Sequence, residues 1–323
     1  MLKTKTLRDY CNDYLAFKRA GGGIAFKEGQ MLNRFATLAE KHSPESVSVT
    51  KELADLWANL SPNEKPTNQQ HRKGAVNRLS KYLISRGVES YLYPRTKWVG
   101  TDFVPYIFTD EELSRLFAAC DNTRTPNTIR SEVVSLIFRM LYACGMRVSE
   151  AVNLKVEDVD LVQGLIRIYE TKFSKERFLP VDNALLARMK IYSRKAHVLS
   201  NPNSPFFPNP QGDYYSSATI YGMFRLCLRT AKIPHGGKGA GPRVHDLRHT
   251  FAVHCLRRAV KNGDELSAML KYLSVYLGHV DISSTQTYLR LTADMYPHIT
   301  SQMEKNFDVM PDLPNWEVLN ETY

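Results

Sequence analysis

No apolar run in this chain of 323 residues approaches the roughly 18 needed to cross a bilayer. The N-terminus holds no signal-peptide core either, because Met-Leu-Lys-Thr-Lys-Thr leads straight into an amphipathic pattern. Both absences lead to an expectation of a cytoplasmic protein with no membrane partner. Cysteine is scarce and unpaired: Cys11, Cys120, Cys144, Cys227 and Cys255 are odd in number, widely scattered and without a Cys-x-x-Cys step. That argues against a disulfide framework and a cysteine zinc site, and leaves buried reduced thiols. A nucleotide-binding loop is missing as well. The stretch from His235 to Gly241 is glycine-rich but lacks the Gly-x-x-x-x-Gly-Lys-Ser/Thr spacing.

Apolar residues at 43% and charged residues at 24% are the balance of a globular protein, and the length suffices for two domains with separate cores. The net charge of +10 is unevenly spread. Residues 1–100 hold 17 Lys+Arg against 9 Asp+Glu, whereas residues 290–323 hold 2 against 6. A basic first third implies a polyanionic partner, most simply nucleic acid.

Apolar periodicity reads residues 1–98 as all helical. Leu7, Tyr10, Tyr14 and Leu15 mark a first helix ending at Gly21, and Met31, Leu32, Phe35 and Leu38 a second. Thr50 caps a short third helix with Leu53 and Trp57. A fourth, over 69–85, carries Val76, Leu79 and Leu83 on one side, with Arg72, Lys73, Arg78, Lys81 and Arg86 assigned to the other as candidate phosphate contacts. Residues 99–108 read as an extended linker. Thr109-Asp-Glu-Glu112 then opens a second domain as a helix cap with an acidic first turn. An apolar helix over 133–142 breaks at Gly145, Arg147 follows, and a helix resumes at Ser149-Glu150. Residues 165–170 and 177–181 form a β-hairpin with Lys172 and Lys175 at its turn. Residues 201–217 are loop, followed by a helix over 219–231.

The densest chemistry lies in 242–291. His245 and Arg248, three apart on a helix, share a face. His245-Asp246-x-x-His249 also echoes the zinc-hydrolase helix. The echo is physically weak, because the acid is one methylene too short, a third ligand must come from far away, and Arg248 would crowd a dication. A second reading uses what the metal leaves idle: Arg147 in Gly-Met-Arg-Val-Ser-Glu-Ala, Lys172 at the hairpin, His245-x-x-Arg248, His279 in Leu-Gly-His, and Tyr288 nine residues later.

In that order and at those separations the chain resembles the tyrosine recombinase family, of phage integrase and Xer type. The resemblance covers about 109–292; residues 1–98 match only in position, size and basic helical character. It implies a fold that is mainly α with a small β-sheet: an all-helical core-binding domain (1–98), a linker (99–108), a mixed α+β catalytic domain (109–292) and a tail (293–323). It further implies site-specific cleavage and rejoining of double-stranded DNA through a 3′-phosphotyrosyl intermediate and a Holliday junction, with no metal and no other cofactor. Protomers would form a tetramer on DNA through the tail, where Trp316, Val318 and Leu319 are the candidate anchors. Accessory directionality proteins are further expected partners. No arm-site-binding domain is expected before the helical one.

The chemistry calls for the same set. A tyrosine stores the bond energy of a cut phosphodiester for resealing. A phenol ionises near pH 10 when unperturbed, so Tyr288 needs a proton acceptor, and His245 is the expected base or relay. Arg147 and Arg248 offer planar forks for the non-bridging oxygens, and His279 adds a hydrogen bond to them. Lys172 supplies the proton of the leaving 5′ oxygen, with Lys175 its local competitor. Glu150 orients Arg147 or lies on the surface; His249, His254 and His235 carry no assigned role. Two other functions stay open at this point: a catalytically silent DNA-binding protein of the same fold, and a type IB topoisomerase-like relaxing enzyme.

Overall fold

The computed structural model describes residues 5–22, 26–59, 64–95, 104–122, 128–170, 175–237, 241–279, 285 and 288. The chain divides into two compact units, Met1–Phe103 and Val104–Tyr323.

Among the described residues, the first unit is made of four helices, α1 (Leu7–Ala20), α2 (Phe26–His42), α3 (Lys51–Asn59) and α4 (Pro66–Ser85). Thr6 starts α1 through a capping box with Asp9, and Leu7, Cys11, Tyr14 and Leu15 fall on one buried stripe. Leu32, Phe35, Leu53, Trp57, Leu79 and Leu83 complete the core. Trp57 is fully buried, edge-on to Phe35 at 5.4 Å between ring centroids. Helix α4 begins three residues before the expected start because Pro66 occupies its first turn, where no N–H is needed.

The basic row on α4 does not form one solvated face. Arg72 is buried, 4% exposed, and its guanidinium pairs with Glu64 (2.6 Å) and donates to the carbonyls of Trp57 (2.5 Å) and Ala58 (3.4 Å). These are acceptors at the C-terminal end of α3 that the helix itself cannot satisfy, so the cation is a helix clasp and not a surface contact. Arg78 is tied to Glu28 at 2.5 Å, and Lys18 is bonded to the same carboxylate. Lys73 lies half-buried beside the Tyr93 ring. Lys81 and Arg86 are exposed, Arg86 over the Tyr82 ring.

In the second unit, residues 104–108 are ordered with the core and are not an open linker: Phe108 is fully buried and its N–H donates to Thr250 Oγ1 at 3.1 Å. Thr109 and Glu112 form the expected capping box of α5 (Asp110–Asp121). The central helix is α6 (Thr128–Ala143). It buries Val133, Val134, Ile137, Phe138, Met140 and Leu141 and packs against α5, α8 (Asn183–Ala196) and α10 (Asp246–Asn262). Helix α8, for which the sequence reading made no assignment, is capped by Asp182 and buries Leu185, Met189 and Tyr192. The sheet is antiparallel with order β1-β2-β3: β1 (Val159–Asp160), β2 (Leu165–Glu170) and β3 (Lys175–Pro180), in register Ile166↔Leu179 and Ile168↔Arg177. Helices α7 (Val148–Val152), α9 (Ser217–Thr230) and α11 (Leu266–Leu277) complete the described part of the unit. No helix among the described residues is long and apolar enough to cross a membrane. Lys172 and the whole tail, with Trp316, Val318 and Leu319, lie outside the described residues.

The burial of Arg72 makes a stability prediction. Arg72→Ala strands the Glu64 carboxylate and the Trp57 carbonyl, while the Ala58 carbonyl keeps its bond from Gln69 Nε2 at 3.1 Å. It should lower unfolding free energy by about 3 kcal/mol in urea titration of the full chain, whereas Lys81→Ala should leave it unchanged.

Candidate active site

Four helix ends converge on one pocket in the second unit. Helix α6 stops at Ala143, and Gly145 turns the chain at φ +59°. A Cβ there would lie 2.6 Å from the Phe251 ring and 2.9 Å from Leu277, so only glycine fits the turn. Arg147 is the N-cap of α7, and Glu150 Oε2 accepts its backbone N–H at 2.8 Å. The Arg147 side chain donates to Glu150 Oε1 at 2.7 Å and to the carbonyl of Gly278 at 2.6 Å. Arg248, in the first turn of α10, is 1% exposed and donates to the carbonyls of Gly145 (2.8 Å) and Leu277 (2.7 Å). Gly278 ends α11 in the left-handed conformation at φ +65°, and His279 follows with Nδ1 2.7 Å from Thr285 Oγ1.

Tyr288 reaches the same place. It is 2% exposed, packed with Ala252, Leu256 and Leu277. Its hydroxyl lies 3.1 Å from Nδ1 of His249, and its ring is stacked on His279 at 6.2 Å. His245 meets His249 edge-on at 4.7 Å between ring centroids. The structure therefore brings Arg147, Glu150, His245, Arg248, His279 and Tyr288 together. Glu150 is not a surface group: its side chain is 10% exposed and sits under Arg147.

Two side chains without an assigned role join them. Arg177 on β3 donates to Glu150 Oε2 at 2.8 Å. It pairs with Ile168, a core-facing position of β2, so the period of two in the hairpin already placed it inward. His249 falls one helical turn after His245, which puts both on one face of α10. In the metal reading His245 and His249 were to share an ion. In the structure the Nδ1 of His249 faces the phenol, and Asp246 Oδ2 accepts from the Arg243 backbone at 2.7 Å.

The electrostatics suit an anion. Burial, then the neighbouring Arg147, lowers Arg248 to about 10, still a cation at neutral pH. Burial would raise the Glu150 carboxyl, but Arg177 and Arg147 outweigh it and the net shift is down. Burial, then nearby cations or imidazoles, lowers His245 to about 4, His249 to about 3 and His279 to about 4. Burial raises the Tyr288 phenol, against the pull of Arg248 and Arg147. At neutral pH the pocket thus holds fixed guanidinium charge, three neutral imidazoles and a protonated phenol. Planar forks bind phosphate oxygens, and an ordinary cation would be repelled. Among the described residues no group of three or more His, Cys, Asp or Glu could hold a metal ion.

Comparison with known proteins gives the family of the chain. Residues 107–295 match the phage integrase family. The chain is 28% identical over 320 residues to a Sinorhizobium fredii protein, y4rB, named as an integrase/recombinase, covering 94% of this chain and 98% of that one. It is 33% identical over 158 residues to the tyrosine recombinase XerD of Pseudomonas aeruginosa, 48% of each chain. Among solved structures, the XerH site-specific recombinase bound to palindromic difH substrate superposes with TM-score 0.61 at 19% identity, over 87% of this chain and 78% of that one. The Tn1549 transposon integrase in complex with a circular intermediate DNA gives TM-score 0.63 at 17% identity, over 86% and 94%. The chain belongs to the phage integrase family of tyrosine recombinases. It is a site-specific DNA recombinase.

Two outcomes follow from the geometry. Gly145→Ala forces a Cβ into Phe251 and Leu277 and moves the carbonyl that holds Arg248. It should cost about 1–3 kcal/mol in urea denaturation. The three imidazoles ionise near pH 6.5 once unfolded but stay neutral in the folded chain down to about 4. The unfolded state therefore binds more protons in that window, and stability falls as pH drops through it. Thermal melts should show the midpoint falling from pH 7 to pH 5, with a shallower fall in His245→Gln.

Proposed function

We propose that this recombinase cuts DNA by attack of the Tyr288 hydroxyl on a phosphodiester, forming a 3′-phosphotyrosyl link without metal or nucleotide. The observation that carries the reading is the convergence of the Tyr288 phenol and the Arg147 and Arg248 guanidiniums on one pocket. The pentacoordinate phosphorus gathers negative charge on its non-bridging oxygens. Fixed forks placed there stabilise the transition state more than the ground state. His279 donates to the same oxygens, and Glu150 keeps both forks in place. Lys172 protonates the leaving 5′ oxygen. His245 stays in the proton path of the phenol, one ring removed, because its neighbour His249 makes the contact.

Strand exchange then proceeds through a Holliday junction in a tetramer of this chain, with the tail of 293–323 joining protomers through Trp316, Val318 and Leu319. Accessory proteins would set direction. On the first unit, Lys73, Lys81 and Arg86 remain the candidate phosphate contacts, with Arg78 shared with Glu28. On the second, Tyr221, Arg225, Arg229 and Lys232 form an exposed stripe on and just after α9 that has no acidic member. That stripe supports backbone contact with a duplex.

The test is covalent capture. The full chain is incubated with a random duplex library, stopped with detergent, and protein-linked DNA is sequenced and rebuilt as a nicked suicide duplex. Wild type should accumulate adduct, Tyr288→Phe none, and Arg147→Lys at least about 100-fold less. No adduct from wild type would overturn the reading in favour of a silent DNA-binding protein. Removal of residues 309–323 should weaken tetramer formation on the recovered duplex while leaving the thermal transition unchanged; an unchanged tetramer would overturn the role of the tail.

A further inference from the structure

One half-buried group without an assigned part in the reaction touches the proposed attacking atom. His249 Nδ1 lies 3.1 Å from the Tyr288 oxygen, and the ring centroids are 5.5 Å apart. With Tyr288 only 2% exposed, water does not compete for the phenol hydrogen. His249 stands on α10 immediately after Arg248, whose hydrogen bonds to Gly145 and Leu277 fix that turn of helix. The imidazole is thus carried by a rigid element, as a proton acceptor must be.

The groups facing it decide which partner donates. From α10 these are His245, edge-on, and Arg248; from the end of α11, His279; from beyond it, Tyr288. Arg147, the N-cap of α7, lies across the same pocket. Burial among these groups keeps the His249 ring neutral, with one bare nitrogen. Arg248 and Arg147 favour negative charge on the Tyr288 oxygen. With the ring hydrogen on Nε2, Nδ1 accepts from the phenol across the 3.1 Å contact.

We propose that His249 is a catalytic residue of the cleavage step, the base that takes the Tyr288 proton through Nδ1. The inference rests on the phosphotyrosyl reading above. As the phenol O–H bond breaks, the proton passes to Nδ1 and the electron pair left on oxygen forms the bond to phosphorus. The bond from phosphorus to the 5′ oxygen breaks, its pair leaves on that oxygen, and Lys172 protonates it. Resealing returns the proton from Nδ1 to the departing Tyr288 oxygen. A bound phosphodiester sets negative charge beside the cations that disfavour a charged His249, so the imidazole gains basicity when substrate arrives.

The test uses the full chain with His249→Gln, which accepts a hydrogen bond but takes no proton, and His249→Phe, which does neither. Without DNA, 3-fluorotyrosine is placed at position 288 and titrated by fluorine NMR. Loss of the hydrogen bond that favours the neutral phenol should make ionisation about tenfold easier in His249→Phe, and His249→Gln should titrate like wild type. On the nicked suicide duplex, His249→Gln should form adduct about 100-fold more slowly at pH 7. The deficit should shrink as pH rises, and the more acidic 3-fluorotyrosine at 288 should restore part of the rate. A residue that only positions Tyr288 would leave His249→Gln with wild-type rate and pH profile, and that result overturns the proposal. So does an unmoved fluorine titration in a folded His249→Phe. Should His249→Phe fail to fold, the adduct rate of His249→Gln decides alone. No adduct from wild type would overturn the cleavage reading and this proposal together; adduct from wild type with an equally fast His249→Gln overturns this proposal only.

Discussion

A guanidinium that is 1% exposed must be given its solvent by the protein, and the solvation of Arg248 organises everything around it. Its donors find the carbonyl of Gly145, past the end of α6, and the carbonyl of Leu277, at the end of α11. The nearest countercharge is Glu150 on α7, 4.0 Å away. None of these groups is near Arg248 in sequence. One buried cation on α10 can exist only if three other elements end beside it, so the pocket and the packing of the second unit are one constraint. This is also why Gly145 tolerates no side chain: its carbonyl must come within 2.8 Å of Arg248 while its Cα sits against Phe251.

Glu150 sets the charge of the pocket. It pairs with Arg147 and Arg177 and lies near Arg248, so one carboxylate serves three cations. Full neutralisation would remove the attraction for phosphate, and no carboxylate would leave mutual repulsion among the cations. The excess positive charge helps to keep His245 and His279 neutral, with burial the larger cause. Neutral imidazoles donate and accept hydrogen bonds without adding charge. Arg177 also belongs to β3, so its bond to Glu150 ties that strand to the pocket.

The sequence showed the chemistry more readily than its support. Arg147, His245, Arg248, His279 and Tyr288 stand at separations a single chain seldom repeats, and the structure gathers all five. Most helices were legible because Leu, Phe and Trp recur at helical spacing, at Thr50 and Thr109 beside a cap. Helix α8 was not, although Leu185, Met189 and Tyr192 have that spacing, because basic residues such as Arg188, Lys190, Arg194 and Lys195 dilute its apolar stripe. Arg72 was misread for the opposite reason. Its charge suggests solvent, but a row of cations along a helix is not a face, and the unsatisfied carbonyls that drew it inward lie on α3. His249 was left without a role because its contact, the Tyr288 hydroxyl, lies 39 positions away where no local pattern records it.

Both guanidiniums of the clamp bind the last carbonyls of α11, Arg248 that of Leu277 and Arg147 that of Gly278. These are acceptors the helix leaves over, and cations at a helix C-terminus are favoured by its dipole. The end of α11 is therefore held by the two guanidiniums themselves. His279 follows at once, held to Thr285, and Tyr288 comes three positions after Thr285. Gly278, ten positions before Tyr288, is thus held in place by Arg147. A phosphate drawn to Arg147 competes with the Gly278 carbonyl for the same N–H groups.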